Sequence, residues 1–232
     1  MIPERIEEIR KKIARACLKA GRDPSEVILL AVSKTFPGGL VREVLEADVH
    51  DIGENYIQEL LRKRNELPDP RIRWHFIGHL QSNKVRSIAG WIHLIHSVDS
   101  VKLAAEIDRQ ARNAGRVIDV LLEVNTTGEK SKFGIQPEET TAMVREMGNL
   151  SNISLGGLMT IGPFLPDPEG SRPMFARLRD LRDEVRKLPQ SNVSMKHLSM
   201  GMTGDFEVAI EEGATVIRIG TAIFGPRTKR EA

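Results

Sequence analysis

One cysteine, Cys17, stands in 232 residues, so no disulfide can form within the chain and there is little basis for a cysteine metal site. Aromatic residues make up 4% of the chain, with a single tyrosine, Tyr56. No basic and aromatic stripe of the kind that stacks on nucleic-acid bases is present. No apolar run is long enough to span a bilayer, and Pro3-Glu4-Arg5 stands where a signal peptide would begin its apolar core. Excess charge of one sign is missing too. Lys+Arg number 34 against 32 for Asp+Glu, and the bases share their helices with acids, so neither nucleic acid nor a membrane surface is called for. A cytoplasmic protein is expected. Composition breaks and low-complexity linkers are also absent, which favours one domain over residues 1–232. The lack of Gly-x-Gly-x-x-Gly after any strand argues against an open doubly wound sheet. The lack of a Gly-x-Ser-x-Gly elbow at Ser33 or Ser199 argues against a serine hydrolase.

What is present begins with the apolar run Val27-Ile28-Leu29-Leu30-Ala31-Val32, which ends in Ser33-Lys34-Thr35 rather than in a turn signal. Such a run reads as a strand of a parallel sheet covered on both faces. Alternation puts Leu30, Val32 and Lys34 on one face and Leu29, Ala31 and Ser33 on the other. Lys34 is thereby delivered to the strand's C-terminal end. Burial there disfavours the ammonium and gives an amine able to form a Schiff base with an aldehyde. The alternative is a lysine that reaches solvent as the strand ends.

Around this run, strands and helices alternate. Ile6, Ile9, Ile13 and Cys17 recur at helical spacing and predict an amphipathic helix over 3–20, closed by Gly21. Further strands are predicted at 51–55, 73–78, 94–98, 117–124, 153–160, 195–200 and 215–221, with helical patterns between them. Asp99-Ser100 is a candidate cap of one helix, and Pro37 and Pro137 are candidate starts of two others. About eight strands with intervening helices predict a single (β/α)8 TIM-type barrel carrying an additional N-terminal helix. That helix could cover the barrel where little chain follows the last strand.

In such barrels, sites lie at the C-terminal strand ends, and phosphate is often held after the last two strands. Here those stretches are Ser199-Met200-Gly201-Met202-Thr203-Gly204-Asp205 and Gly220-Thr221-Ala222, rich in glycine and hydroxyls. Their glycines could also serve only tight turns. The loop 125–134 is a further site candidate by its length. Arg218, between Ile217 and Ile219, puts a guanidinium into a strand expected to be buried, where it needs a partner. The candidates are Glu123 or a ring nitrogen or anion of a ligand. His75, His79, His93 and His96 flank two strands without an evident common metal, so they read as core or loop residues and no metal is expected.

Several segments then appear together and in order: Ala31-Val32-Ser33-Lys34-Thr35, Gly53-Glu54-Asn55, His75-Phe76-Ile77-Gly78-His79-Leu80-Gln81-Ser82-Asn83-Lys84, Gly157-Leu158-Met159-Thr160, Leu198-Ser199-Met200-Gly201-Met202-Thr203-Gly204-Asp205 and Arg218-Ile219-Gly220-Thr221. Over nearly its whole length the chain resembles the pyridoxal phosphate homeostasis protein family. The resemblance implies a barrel like the N-terminal domain of alanine racemase, with pyridoxal 5'-phosphate as cofactor and Lys34 as the Schiff-base lysine. It further implies that Arg218 faces the pyridine nitrogen, and that Ser199, Met200, Gly201, Gly220 and Thr221 hold the phosphate. Asn55, His79 and Met159 would line the pocket. The implied function is to carry or buffer the cofactor in vitamin B6 and amino-acid homeostasis, without an established catalytic turnover. Implied partners are the cofactor and apo forms of enzymes that use it, the protein acting as a monomer. The rival readings are a small amino-acid racemase or lyase using the same lysine, and a partner-binding protein whose cofactor is vestigial. Racemases of this barrel type resemble a two-domain chain that supplies a tyrosine base, whereas Tyr56 lies early in the chain.

Overall fold

A computed structural model of the chain describes residues 1–129, 133–163 and 165–226. Strands β1 (Ile28–Val32), β2 (Asp51–Glu54), β3 (Arg73–Phe76), β4 (Leu94–Val98), β5 (Ile118–Glu123), β6 (Ile153–Met159), β7 (Val193–Met202) and β8 (Val216–Ile219) pair in parallel and in sequence order. The β1–β8 pairing, with Leu30 opposite Arg218, closes the barrel. Helices α1 (Ile2–Lys19), α2 (Gly38–Glu46), α3 (Ile57–Glu66), α4 (Val101–Asn113), α5 (Thr140–Met147), α6 (Arg172–Val185), α7 (Phe206–Glu211) and α8 (Thr221–Phe224) surround it. The connection after β3 is a 3-10 segment, Ser82–Ser87.

The strands lack polar and apolar alternation because both faces are covered. Outward residues such as Ala31, Ile52, Leu122 and Ile217 join the helices in one large apolar layer. Inward residues form smaller groups: Leu30, Val32, Ile77 and Val216 in one, Leu94, Leu121 and Met159 in another. Leu30, Val32 and Arg218 therefore share the interior face, as the alternation of β1 and the register with β8 require.

Helix α1 buries Ile2, Ile6, Ile9, Ile13 and Cys17 and packs against α2, α7 and α8, so it covers the barrel beside its last strand. Arg5 Nη1 donates to the Ile223 carbonyl, and Arg22 Nη1 donates to those of Ile210 and Ala214, fixing the helix to that end of the chain. Gly21 at φ 65° ends it as predicted. Ser100 caps α4 by accepting from the Leu103 N–H.

One boundary differs in a way that bears on function. β7 runs to Met202, two residues past the predicted end at 200, and α7 begins at Phe206, so Gly201 joins Ser199 and Met200 in the strand rather than opening a loop. The pairing of β7 with β8 shifts register between Ser199 and Met202, where Gly201 adopts φ 90°. A bulge here extends the strand while turning its end. Among the described residues, no helix is long and apolar enough to cross a membrane.

Candidate functional site

The C-terminal strand ends bring Lys34, Asn55, His79, Thr160, Arg218, Gly220 and Thr221 to the same mouth of the barrel. Lys34 stands two residues past the end of β1 and is half-buried. The peptide after it is constrained, since Thr35 takes φ 69°, a left-handed conformation unusual for a branched residue, and its N–H donates to Glu59 Oε2 at 2.9 Å. Asn55 follows β2, and among the described residues its buried Oδ1 has no hydrogen-bond partner. Gly78 lies so close that an added Cβ would come within 2.1 Å of the Asn55 carbonyl oxygen, so only glycine allows the ends of β2 and β3 to approach in this way. His79 is exposed, stacks on Phe133 at 4.6 Å and places Nδ1 3.4 Å from Asp99 Oδ2. Lys130, Ser131 and Lys132 of the 125–134 loop lie outside the described residues.

Arg218 is 5% exposed. Its Nη2 donates to the Thr160 carbonyl and its Nη1 to Ser199 Oγ, each at 2.7 Å, so neither bond goes to Glu123. Burial pushes the guanidinium down to about 10, against the attraction of Glu123 and Asp205, and it stays charged at neutral pH. From Ser199 a line of buried groups crosses the interior. Ser199 Oγ lies 2.9 Å from His96 Nδ1, His96 Nε2 lies 2.9 Å from His75 Nδ1, and His75 Nε2 lies 2.9 Å from Asp51 Oδ1. Asp51 is clamped in turn by Arg73 Nε at 2.7 Å and Nη2 at 2.5 Å.

The proton positions along this line follow from its ends. A guanidinium can only donate and an ionised carboxylate can only accept. Arg218 therefore donates to Ser199, Ser199 to His96, His96 Nε2–H to His75, and His75 Nε2–H to Asp51, with both imidazoles neutral. The electrostatics agree. Burial acts to raise the Asp51 carboxyl, but hydrogen bonds from Arg73 and His75 outweigh it and hold it far below the usual range. Burial lowers His75, and it lowers His96 further, with the charge of Arg218 adding to the effect.

This arrangement places several predicted residues differently. Ser199 faces the interior with its hydroxyl committed to Arg218 and His96, so its side chain is not free for an anion at the strand end. Met200 points outward and is buried in the apolar layer beneath the helices, leaving only its backbone for such a role. Gly201 is required by the fold, because a Cβ there would meet the Ala209 Cβ at 2.6 Å. A Cβ added at Gly220 would meet the Val32 carbonyl oxygen at 3.5 Å, an ordinary contact, and Thr221 is exposed with its Oγ1 3.3 Å from that of Thr203. Met159 is fully buried against Leu94 and Leu121, below the mouth.

Glu123 shares the inward face of β5 with Leu121 and is 4% exposed. Burial, with Asp99 adding and Arg218 opposing, pushes its carboxyl up to about 7. Asp51, His75 and His93 bring ligand atoms within 4.8 Å of one another at the opposite end of the barrel. There the Asp51 oxygens already serve Arg73 and His75, which makes the cluster an ion-paired one.

The sequence pattern did not expose Lys63, which is fully buried on α3 and bonded to Glu54 and Ser33. Its signal is present nonetheless, because Ile57, Leu60 and Lys63 fall on one helix face at intervals of three. The chemistry at the mouth suits an aldehyde-bearing anion. It combines a lysine, a buried guanidinium, an amide oxygen unpartnered among the described residues, and the glycine and threonine at the end of β8.

The family described as "Alanine racemase, N-terminal domain" matches residues 6–228. The pyridoxal phosphate homeostasis protein of Aquifex aeolicus is 47% identical over 224 residues, covering 97% of each chain. The human protein of the same name is 38% identical, covering 96% of this chain and 85% of its own. Among solved structures, PipY of Synechococcus elongatus with pyridoxal phosphate (PLP) bound superposes with a TM-score of 0.83 at 35% identity, covering 97% of this chain and all of PipY. An alanine racemase of Clostridium difficile shares the fold at 16% identity, with a TM-score of 0.70 over 96% of this chain and 61% of the racemase.

Proposed function

Because the chain belongs to the pyridoxal phosphate homeostasis protein family, with the barrel of the alanine racemase N-terminal domain, we propose that it binds pyridoxal 5'-phosphate reversibly through Lys34 and carries or buffers it. The cofactor supplies an aldehyde for a primary amine and a ring that can draw electrons. Lys34 provides the amine at the end of β1, and Arg218, on the neighbouring β8, provides the charge that faces the ring nitrogen. Thr221 and the backbone at Gly201 and Gly220 hold the phosphate, and Asn55 Oδ1 takes a donor from the ligand or from an ordered water. His79 closes one side of the mouth. Apo enzymes that depend on the cofactor are its recipients, in the service of vitamin B6 and amino-acid homeostasis.

The observation that carries this reading is the pairing of a strand-end lysine with a guanidinium on the adjacent strand that is already anchored by Ser199 and Thr160. Being donor-only, Arg218 disfavours protonation of a ring nitrogen beside it and so weakens the electron draw that carbanion chemistry needs. That favours carriage over turnover. The test is a spectral titration with pyridoxal phosphate followed by borohydride trapping and peptide mapping. A visible band lost in Lys34→Ala, with the label on Lys34, is the expected result. A label confined to other lysines, or steady racemisation of an L-amino acid that depends on Lys34, would overturn it.

A further inference from the structure

Lys63 is a lysine on the buried face of α3, where its neighbours at helical spacing are Ile57 and Leu60. Its Nζ donates to the Ser33 carbonyl at 2.6 Å and to Glu54 Oε1 at 2.5 Å, and lies 4.0 Å from Glu59 Oε2. Glu54 is fully buried as well, and its Oε1 also accepts from Ser33 Oγ at 2.5 Å. Among the described residues, Glu54 Oε2 has no partner, and burial pushes this carboxyl up against the pull of Lys63.

A buried pair of this kind is a poor device for stability, because apolar residues of similar volume often serve as well or better. Its position suggests another role. Lys63 and Glu54 hold the carbonyl and the hydroxyl of the residue immediately before Lys34. On the other side of Lys34, Glu59 from the same helix accepts the Thr35 N–H and so maintains a left-handed backbone that a threonine does not favour. Both peptide units that set the direction of the Lys34 side chain are thus fixed from α3. Strand pairing contributes one more tie, from Ser33 N–H to the Gly53 carbonyl at 3.1 Å.

We propose that Lys63, with Glu54 and Glu59, is a positioning residue for Lys34: it fixes the strand-end turn so that the lysine amine meets a ligand aldehyde in reactive geometry. The inference rests on the reading of Lys34 as the amine that condenses with pyridoxal phosphate. In that step the amine nitrogen bonds to the aldehyde carbon and water leaves. An apolar residue at position 63 could fill the space but could not hold the Ser33 carbonyl.

The experiment uses Lys63→Met/Glu54→Gln, which removes both buried charges together, and Glu59→Ala, at a partly exposed position. Two ligands are compared for each protein. One is pyridoxal phosphate, followed by borohydride, which reduces the C=N bond to a stable secondary amine. The other is pyridoxine phosphate, which has an alcohol in place of the aldehyde. In the double variant the rate of label capture at Lys34 should fall about 10- to 100-fold, the scale of an ångström-sized misplacement. Affinity for pyridoxine phosphate and capture at the exposed Lys102 should not change, and Glu59→Ala should show the same pattern to a smaller degree. Unchanged capture at Lys34 in both variants would overturn the proposal, as would equal losses for the two ligands, which would make α3 a support of the whole pocket. Wild-type capture on a lysine other than Lys34 would instead overturn the reading of the amine itself, and this inference with it.

Discussion

Arg218 and Asp51 occupy the two ends of one hydrogen-bonded line through the barrel interior, the first able only to donate and the second only to accept. Ser199, His96 and His75 stand between them, each passing one donor onward. A proton added to either imidazole would put a charge beside Arg218 in a buried space and turn the Ser199 O–H away from His96. The line thus ties the guanidinium at the mouth to a carboxylate clamped by Arg73 at the far end.

Acid should therefore destabilise the fold through these histidines. Both have folded pKa values below the ordinary 6.5, so the unfolded chain takes up protons that the folded chain refuses. Their contribution is complete above pH 6.5 and is lost as pH falls below it, at up to about 1.4 kcal/mol per pH unit for each histidine. His96→Gln keeps one donor and one acceptor but cannot titrate. Thermal midpoints between pH 5 and pH 7 should depend less on pH in that variant, and an undiminished slope would exclude His96 from the effect.

Glu123 should act with the opposite sign. Its carboxyl is pushed up to about 7 from the ordinary 4.5, so the folded chain keeps a proton that the unfolded chain has released. Stability from this group is present below pH 4.5 and is lost as pH rises through about 7. Glu123→Gln should match wild type near pH 4.5 and exceed it at pH 8 by up to about 3 kcal/mol, measured by urea unfolding. Equal stability at pH 8 would mean that the carboxyl is ionised there without cost.

The eight strands and the N-terminal helix were legible because a parallel sheet buried on both faces writes continuous apolar runs, and because Ile6, Ile9, Ile13 and Cys17 mark one helical stripe. Lys34 and Arg218 stood out as charges at positions where such runs are apolar. Ser199 was harder to place, since the register shift between it and Met202 decides which way the end of β7 faces, and a shift of pairing leaves no local pattern. The partners of His75 and His96 lie 21 to 103 residues away, so the interior line is visible only once the barrel closes. Lys63 looked like one more base on a charged helix, and its burial depends on where α3 meets the end of β2.

Ser199 and Thr221 should separate under substitution, although the sequence groups both with the phosphate. Ser199→Ala leaves Arg218 Nη1 and His96 Nδ1 each short of a partner inside the barrel and should cost about 1–3 kcal/mol of stability. It should weaken pyridoxal and pyridoxal phosphate alike. Thr221→Ala, at an exposed position, should leave stability nearly unchanged and weaken only the phosphorylated ligand, by about 1–3 kcal/mol for a charge-assisted hydrogen bond. Affinities for the two ligands, measured by fluorescence titration, decide. Selective loss of the phosphorylated form in Ser199→Ala would return that hydroxyl to the phosphate.

Gly201 and Gly220 divide in the same way between fold and ligand. Gly201 sits at φ 90°, and an added Cβ would come within 2.6 Å of the Ala209 Cβ and 3.0 Å of the Phe206 Cα, so Gly201→Ala must displace α7 from β7. Backbone strain and overpacking together should cost about 2–4 kcal/mol whether or not ligand is present. At Gly220 the nearest atom to an added Cβ is the Val32 carbonyl oxygen at 3.5 Å, an ordinary contact. Gly220→Ala should therefore fold with a thermal midpoint close to wild type, and any loss of affinity must come from the ligand's side. If the phosphate approaches the backbone there, the variant loses affinity for pyridoxal phosphate while keeping its affinity for pyridoxal. Unchanged affinity for both would remove Gly220 from the anion site and leave the phosphate to the end of β7 and to Thr221.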